Sequence, residues 1–575
     1  MTSSPPPRSF RPERKPVSSF HPSTTTTSIT APSVVTSALD SSTEDSSPVS
    51  TKTLTAVQRF LCREGLLLLA FAIGALAFWQ MMMRVAGTVP PRYAITGAID
   101  LVLALVLSFV LDVHLPRSAE AVLPIVMLLS EIGITEITRI DYEQTKNGAP
   151  SDIGIRQMIW LAIALVLSIA LVTLLRDYRR LRRVSYVFMV FGLVFLLSPM
   201  IPGLGQDING AQAWIRVGSF SCQPSEFAKL FLAVFFAAYL FNQRDRLAVG
   251  GRRFLGIRWP RFRDFGPLAV VWVLSMGILV IQHDLGASLM FFAMFVGMLF
   301  VASNRKSWLL IGTVAFIMGV VAADRIFSTF ASRVDIWEHP FSPALYGKAY
   351  GGSYQLVQGI FGLAAGGLWG TGFGFGEPAI TPFANSDFIY TSLGEEGGLI
   401  LLVAILLLYL VIIATAFVAA MHITDGFGKL LASGLAFSMA FQVFTIVGGV
   451  TLVIPLTGLT LPYLAAGGSS LVANWLLAML VLIVSNAANS DRNNTVDANG
   501  TWIATDADKR NGLVLGVDSE EDNNPRLSAF LADRFRRRSA ATIAPTARSS
   551  ASTDSVKPTS HGSHRRTGSH RKEEA

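Results

Sequence analysis

The chain has 575 residues, of which 51% are hydrophobic and only 15% are charged, and its mean hydropathy is +0.48. A soluble chain of this length would need more charge to cover its surface, so this composition excludes a soluble protein. The net charge of +8 comes from arginines that lie beside hydrophobic segments, which indicates membrane topology and argues against a nucleic-acid ligand.

Two polar tails flank the hydrophobic region. Residues 1–60 are rich in Ser, Thr and Pro and contain no apolar stretch typical of a signal peptide, so we predict a disordered cytoplasmic tail. Residues 488–575 are predicted to form a second disordered tail, which is basic. Within it, 526–538 (RLSAFLADRFRRR) is either an amphipathic helix on the anionic inner leaflet or a charged stretch without structure.

The region between the tails, 61–487, is predicted to be an all-α transmembrane domain. Apolar stretches of roughly 17–25 residues are long enough to cross a bilayer as helices. By this length test we expect about twelve spans, at 65–86, 93–111, 120–138, 157–175, 184–202, 226–241, 266–282, 285–303, 308–325, 398–420, 429–450 and 463–486.

Arginine-rich loops predict the orientation of these spans. The segment 176–183 reads RDYRRLRR, and 242–264 is also rich in arginine. With twelve spans both loops lie on one side together with both termini, and the positive-inside rule makes that side cytoplasmic. Cys62 and Cys222 then lie on opposite sides, so no disulfide framework or Cys-based zinc site is expected.

One outer segment, 326–397, has about 70 residues and no clear span. Loops of this length are usually functional or disordered. This one is rich in glycine and aromatic residues (KAYGGSYQ, GGLWGTGFGFG), whereas disordered segments have few aromatic residues. We therefore predict a long folded extracytoplasmic loop.

Asp284 is an acidic residue between two apolar segments, in IQHDLGASL, at the predicted outer membrane boundary. An ionised group costs roughly 2.5–3.5 kcal/mol at a helix centre and less near the interface. A structural Asp that reaches water and a functional Asp both suit this position. Partial burial would raise its pKa, as a general base requires.

Two weaker signals accompany it. Glu226 and Lys229 are three residues apart at the start of a span, where they either pair as a structural salt bridge or serve a site. The segment 455–470 (PLTGLTLPYLAAGGSS) suggests either broken helices around a cavity or simple close packing. No His or Cys spacing indicates a metal site.

These pieces together resemble the SEDS family, which includes FtsW and RodA. The motifs occur in the family's order over about residues 90–487: NGAQAWI, QPSEFAKL, QHDLGAS, YQLVQGIFGLAAGGLWGTGFG, DFIYTSLGEEGGL and LTGLTLPYLAAGGSS. Two extra N-terminal spans and the stretch VGGVTLVIPLTGLTLP look most similar to RodA-type proteins of actinobacteria.

The resemblance implies a glycosyltransferase of the bacterial plasma membrane. It would join lipid II units into peptidoglycan strands by β-1,4 transfer at the outer face, with a class B penicillin-binding transpeptidase as partner. Asp284 matches the family's catalytic Asp. The charge of the leaving pyrophosphate would be neutralised by cationic side chains or by a divalent cation such as Mg²⁺ or Mn²⁺. The candidate substrate-binding residues are Trp214, Arg216, Glu226, Lys229, Arg333, Glu395, Glu396 and Ser469.

The chain departs from the family pattern at four places. His283 stands where Pro is usual, Ala287 where Thr is usual, and LAAGGSS replaces a commoner Phe-x-Ser-Tyr-Gly-Gly-Ser-Ser. Ala213 stands where many members have Arg, and Arg216 is the candidate to replace it.

Two other functions fit the same spans, internal charges and Gly/Pro-broken helices. A transporter of lipid-linked precursors would not require Asp284 on the outer side. A non-catalytic scaffold that recruits the transpeptidase would tolerate loss of Asp284.

Overall fold

The computed structural model describes residues 49–146, 148, 151–208, 211–217, 220–248, 253–254, 257–258, 262–348 and 351–495. The predicted tails, including 526–538, lie largely outside these residues. The chain divides into two compact units, Met1–Gln58 and Arg59–Ala575, and the features discussed below, apart from the helical residues 49–58, belong to the second.

Helices dominate the described part of the chain. They are α1 Val49–Val85, α2 Pro91–His114, α3 Val122–Lys146, α4 Ile153–Leu174, α5 Arg179–Arg183, α6 Ser185–Leu197, α7 Pro224–Ala248, α8 Phe262–Ile281, α9 Leu285–Ser303, α10 Lys306–Ile326, α11 Ser328–Glu338, α12 Pro343–Tyr346, α13 Tyr354–Gly366, α14 Ile389–His422, α15 Gly426–Val450 and α16 Gly468–Thr495. Two 3-10 turns occupy Ser198–Met200 and Pro378–Ile380.

Among the described residues, nine helices are long and apolar enough to cross a membrane. They lie at Arg63–Val85, Pro91–His114, Ile153–Leu174, Pro224–Gln243, Gly286–Ser303, Lys306–Ile326, Ile389–His422, Gly426–Val450 and Gly468–Ser490. The protein is therefore a polytopic, mainly helical membrane protein. The other three predicted spans coincide with α3, which carries several charged residues, and with the short apolar helices Ser185–Met200 and Ala269–Ile281.

The core lies among α7, α9, α15 and α16, whose residues are mostly buried. Helix α10, in contrast, leaves nearly all of its apolar side chains exposed. Exposed apolar surface on such a helix suits contact with lipid, which is as apolar as Leu. The buried side chains of α7, α9, α15 and α16 are thus held in place by their neighbours, whereas those of α10 are not.

A small antiparallel sheet precedes α7, where only a loop was expected. Its strands are β1 Gly205–Ile208, β2 Ala211–Val217 and β3 Phe220–Cys222, in the order β1-β2-β3. Ile215 on the central strand pairs with Gly205 on one side and Cys222 on the other. A two-stranded ladder joins β4 Arg253–Phe254 to β5 Ile257–Arg258.

The segment 326–397 contains α11, α12, α13 and the start of α14. Helix α11 is tied to the turn after α15, because the Trp337 indole N–H donates to the Leu452 carbonyl at 2.9 Å. Helix α14 begins at Ile389, before the predicted span start at 398. Gly398 has φ 70° and ψ −176°, so the regular helix breaks at the predicted boundary. SLGEEG, residues 392–397, therefore lies on a helical stretch before that break.

Candidate active site

Asp284 occupies the turn between α8 and α9, and it caps the N-terminus of α9. One carboxylate oxygen accepts from the Ala287 backbone N–H at 3.0 Å, and the other accepts from the Gln223 side-chain amide at 3.3 Å. Its side chain is buried, with 8% exposed. Asp284 thus has the position of an N-cap, which accounts for part of its hydrogen bonding without any ligand.

The backbone of this turn is unusual. His283 has φ 58°, a left-handed conformation that costs a non-glycine residue roughly 1–2 kcal/mol. A proline could not adopt it, because its ring fixes φ near −65°. The turn is also held from two sides: Gln282 donates its side-chain amide to the Leu196 carbonyl, and its own carbonyl accepts from the Gln212 N–H at 3.0 Å. Strain of this kind is often found at functional sites.

Gln223 connects Asp284 to the start of α16. The Gln223 backbone N–H donates to the Ser469 hydroxyl at 3.0 Å, while its side chain reaches Asp284. Ser469 is itself buried. The helix starts of α7, α9 and α16 therefore meet at one place, and Ser469 acts there by holding Gln223.

The environment of Asp284 favours a basic carboxylate. Burial raises the pKa of the Asp284 carboxyl above its usual value, because the charged form loses hydration. The hydrogen bonds from Ala287 and Gln223 oppose this effect, since they stabilise the ionised form and lower the pKa in part.

Gln223→Leu gives a test of this balance. Removing the amide donor should raise the pKa of Asp284 further, so the acidic limb of the pH–activity profile should move to higher pH. The matched control is Gln358→Leu, which removes an amide that donates to the Tyr346 hydroxyl elsewhere in the segment 326–397. If the acidic limb of the pH–activity profile lies at the same pH in wild type and Gln223→Leu, Asp284 does not govern that profile.

Lys229 and Glu226 form the predicted i,i+3 pair, and the pair is buried. The Lys229 ammonium donates to Glu226 at 2.6 Å, to the Gln442 side-chain oxygen at 2.8 Å and to the Asn474 side-chain oxygen at 2.9 Å. Gln442 in turn donates to Glu226 at 3.2 Å. All three ammonium hydrogens have partners within the protein. A substrate contact by Lys229 would require this network to open, so the geometry favours a role in holding α7, α15 and α16 together.

Arg333 is the cation that the fold brings towards Asp284. It lies on α11, and one guanidinium nitrogen donates to the Leu456 carbonyl at 3.4 Å and to the Thr457 carbonyl at 3.1 Å. The Thr457 carbonyl also lies only 2.8 Å from where a Cβ on Gly286 would be, so this turn packs directly on the start of α9. The positive charge of Arg333 acts on the pKa of Asp284 by lowering it.

Strand β2 carries both Ala213, where many family members have Arg, and Arg216, the residue predicted to replace that Arg. Side chains alternate between the faces of a strand, so positions 213 and 216 point to opposite sides. Ala213 is buried and Arg216 is exposed, as this alternation requires. Arg216 therefore does not occupy the place of a side chain at position 213, and its role as an alternative phosphate contact stays a prediction. Trp214 is half-buried and shares the face of Arg216.

Glu395 and Glu396 organise the glycine-rich segment that precedes α14. The Glu395 carboxylate accepts from the Glu377 backbone N–H at 2.7 Å, and that of Glu396 accepts from the Gly374 N–H at 3.0 Å. Arg139 on α3 pairs with Glu396 at 3.2 Å. Within the described part of the chain, no hydrogen bond or ion pair connects these glutamates to Asp284, so they form a separate cluster.

A metal ion held by the protein alone does not fit the described residues. They contain no group of three His, Cys, Asp or Glu side chains that could hold one. A cation of the Mg²⁺ type can instead be bound by one carboxylate together with water and substrate phosphates. Asp284 and Asp387, the two carboxylates on whose pKa values Arg333 acts, could each supply that single carboxylate ligand.

The sequence reasoning missed several residues of this site. Gln223 and Asp387 both lie inside motifs that the sequence displays, QPSEFAKL and DFIYTSLGEEGGL, and could have been found there. Gln442 and Asn474 lie within apolar helices and Arg139 lies on α3, and only the fold shows that they face buried charges.

Comparison with known proteins places this arrangement in a wider context. Residues 119–490 match the family model described as cell cycle protein, which covers FtsW, RodA and SpoVE; α1 and α2 precede that range. The peptidoglycan glycosyltransferase RodA of Mycobacterium tuberculosis is 41% identical over 377 residues, or 65% of this chain and 79% of the relative. A probable peptidoglycan glycosyltransferase FtsW of Trichlorobacter lovleyi is 32% identical over 333 residues, or 57% and 82%. Among solved structures, a chain from a peptidoglycan synthase complex that coordinates polymerization and crosslinking is 27% identical, with a TM-score of 0.51, over 65% of this chain and 98% of that chain.

Proposed function

Because the chain belongs to the family of cell cycle proteins that includes FtsW, RodA and SpoVE, we propose that it is a peptidoglycan glycosyltransferase that joins lipid II disaccharide units by β-1,4 transfer. The observation that carries this proposal is the buried Asp284 carboxylate, with raised pKa, at the end of a membrane helix and close to the Arg333 guanidinium. The relatives named RodA and FtsW support a role in elongation or division. The higher identity to RodA favours elongation.

The reaction follows from the two charges. Asp284 takes the proton from the acceptor sugar's 4-hydroxyl, whose oxygen forms the new bond to C1 of the donor sugar. The bond from C1 to the pyrophosphate oxygen breaks, and polyprenyl pyrophosphate leaves with the electron pair. Arg333 has nitrogens that make no hydrogen bond within the described residues, so it can stabilise the leaving charge.

The membrane position suits substrates with lipid tails. A site at a helix end can take the sugars from water while the polyprenyl chains stay in the bilayer, and fixing both reactants supplies part of the acceleration. A divalent cation held by one carboxylate and the substrate's phosphates would add positive charge to the leaving group. The similarity to a chain of a synthase complex supports a class B penicillin-binding transpeptidase as partner.

Twelve spans with both termini in the cytoplasm would place Asp284 at the outer face, and thiol labelling tests this topology. Cys62 and Cys222 are first replaced by Ser, and single cysteines are then introduced at Arg180 and at Phe341. In intact cells, an impermeant thiol reagent should label the exposed position 341 and leave position 180 unlabelled. The reverse pattern would place Asp284 at the cytoplasmic face and contradict the proposed site.

Release of polyprenyl pyrophosphate separates polymerisation from transport. Purified protein in detergent, where no membrane can be crossed, should release one polyprenyl pyrophosphate from lipid II for each bond formed. A transporter would release none in detergent but would move lipid II between the leaflets of vesicles. Absence of release, together with such movement, would favour the transporter.

A further inference from the structure

A cavity of about 580 Å³ lies in the outer segment, between α11, the start of α13 and the loop that leads into α14. Ligand pockets commonly have 300–1,000 Å³, so its size suits a small polar ligand. Hydroxyl groups of Ser328, Thr329 and Ser332 contribute to its wall. It therefore offers donors and acceptors at the side of the molecule where the sugars of a lipid-linked substrate would extend into water.

Arg333 is shared between this cavity and the reaction centre. It lines the cavity, while its contact with the Thr457 carbonyl places it beside the start of α9, behind Asp284. A ligand that enters the cavity therefore reaches the guanidinium that also influences Asp284. Arg333 therefore links the cavity to the proposed reaction site.

Asp387 is the unassigned group in the cavity wall. Burial raises the pKa of the Asp387 carboxyl to about 6, although Arg333 opposes the shift. A Cβ on Gly458 would lie 3.9 Å from an Arg333 nitrogen and 4.0 Å from an Asp387 oxygen, so these two groups face the same space. Within the described residues Asp387 makes no hydrogen bond or ion pair, which leaves its oxygens free for a ligand.

The rim of the cavity carries an aromatic ring in a strained position. Phe383 has φ 58°, and 47% of its side chain is exposed. A left-handed Phe costs free energy, and such strain is concentrated at ligand sites and switch regions. An exposed ring beside hydroxyls and a free carboxylate is the lining that a pyranose requires, because its C–H face is apolar and its edge is hydroxylated. A lipid chain would find too many polar groups here, and a bare phosphate would be repelled by Asp387.

We propose that this cavity binds the sugar headgroup of the lipid-linked substrate, and that Asp387 accepts hydrogen bonds from its hydroxyl or amide groups. Arg333 then marks the boundary between the sugar, on the side of Asp387, and the pyrophosphate near Asp284. This inference rests on the proposed function for the identity of the substrate. It assigns to Asp387 a role in binding, separate from proton transfer.

Binding without turnover tests the assignment. In an Asp284→Asn background, we would measure the affinity for lipid II and, separately, for polyprenyl pyrophosphate, which has no sugar. Asp387→Asn should weaken lipid II binding by roughly 10- to 150-fold, the loss expected for a hydrogen bond to a charged group. Polyprenyl pyrophosphate should bind as before. Asp335→Asn is the matched control, because Asp335 is exposed on α11 and does not line the cavity.

Other results would overturn the inference. If Asp387→Asn binds lipid II as tightly as the Asp284→Asn parent does, the sugar binds elsewhere. Equal loss for both ligands would show that Asp387 acts on the pyrophosphate through Arg333. If Asp387→Asn does not fold, Ser332→Phe fills the same cavity and should give the same selective loss. If the wild-type protein makes no glycan strands, the proposed function is wrong. A selective loss of lipid II binding in Asp387→Asn would still show that the cavity binds the sugar.

Discussion

Replacing Asp284 with asparagine should slow strand synthesis by at least about 10²-fold, because general-base catalysis contributes typically 10²–10⁴-fold. Asparagine has nearly the same size and can still accept at its oxygen from the Ala287 N–H, so the cap of α9 should persist. Removing a buried carboxylate with a raised pKa should leave the fold as stable or make it more stable. The measurement is the initial rate of lipid II consumption by purified protein.

Asp335→Asn is again the control, since it makes the same chemical change on an exposed helix and should retain the wild-type rate. Asp284→Glu should recover little, because displacement of the oxygen by about 1 Å is enough to cost roughly 10²-fold. A near-normal rate for Asp284→Asn would remove the catalytic assignment and favour a transporter or a scaffold.

Lys229→Met should lower the free energy of unfolding by about 3–5 kcal/mol, because it leaves the buried Glu226 carboxylate without its cation. Gln442 alone would still donate to Glu226, and that neutral donor cannot balance the charge. Thermal unfolding of the purified protein in detergent would show this as a lower midpoint temperature.

The double variant Lys229→Met/Glu226→Gln should regain most of that stability, because no uncompensated charge remains. It also separates two roles for Lys229. Retained activity in the stable double variant would support the structural role, whereas a stable but inactive protein would show that the ammonium contacts substrate. Equal stability of the single and double variants would contradict the importance of the ion pair.

Much of the helical fold could be predicted because apolar length is a strong signal, and each predicted span coincides with a helix. Helix α3 shows the limit of that signal. Its Glu131, Glu136 and Arg139 are buried among other helices, so they are compatible with the fold but reduce its apolar character. The sheet at β1–β3 was missed because its strands are short and lie between two spans, where hydropathy gives no information on pairing.

The site was only partly predictable for a similar reason. Asp284 and the pair of Glu226 with Lys229 could be recognised from position and spacing, and the pair is confirmed at 2.6 Å. The separation of Glu395 from Asp284 depends on how distant segments pack, which spacing along one sequence cannot show. Asp387 was overlooked beside two more conspicuous glutamates in the same motif.

The length of the product made by the purified protein from lipid II tests the central claim most directly. With no transpeptidase present, the wild-type protein should convert lipid II into glycan strands of many disaccharides, visible as a ladder on a gel. Asp284→Asn at the same concentration should leave lipid II unchanged. A wild-type reaction in which all sugar remains as single disaccharide units would contradict the proposed glycosyltransferase.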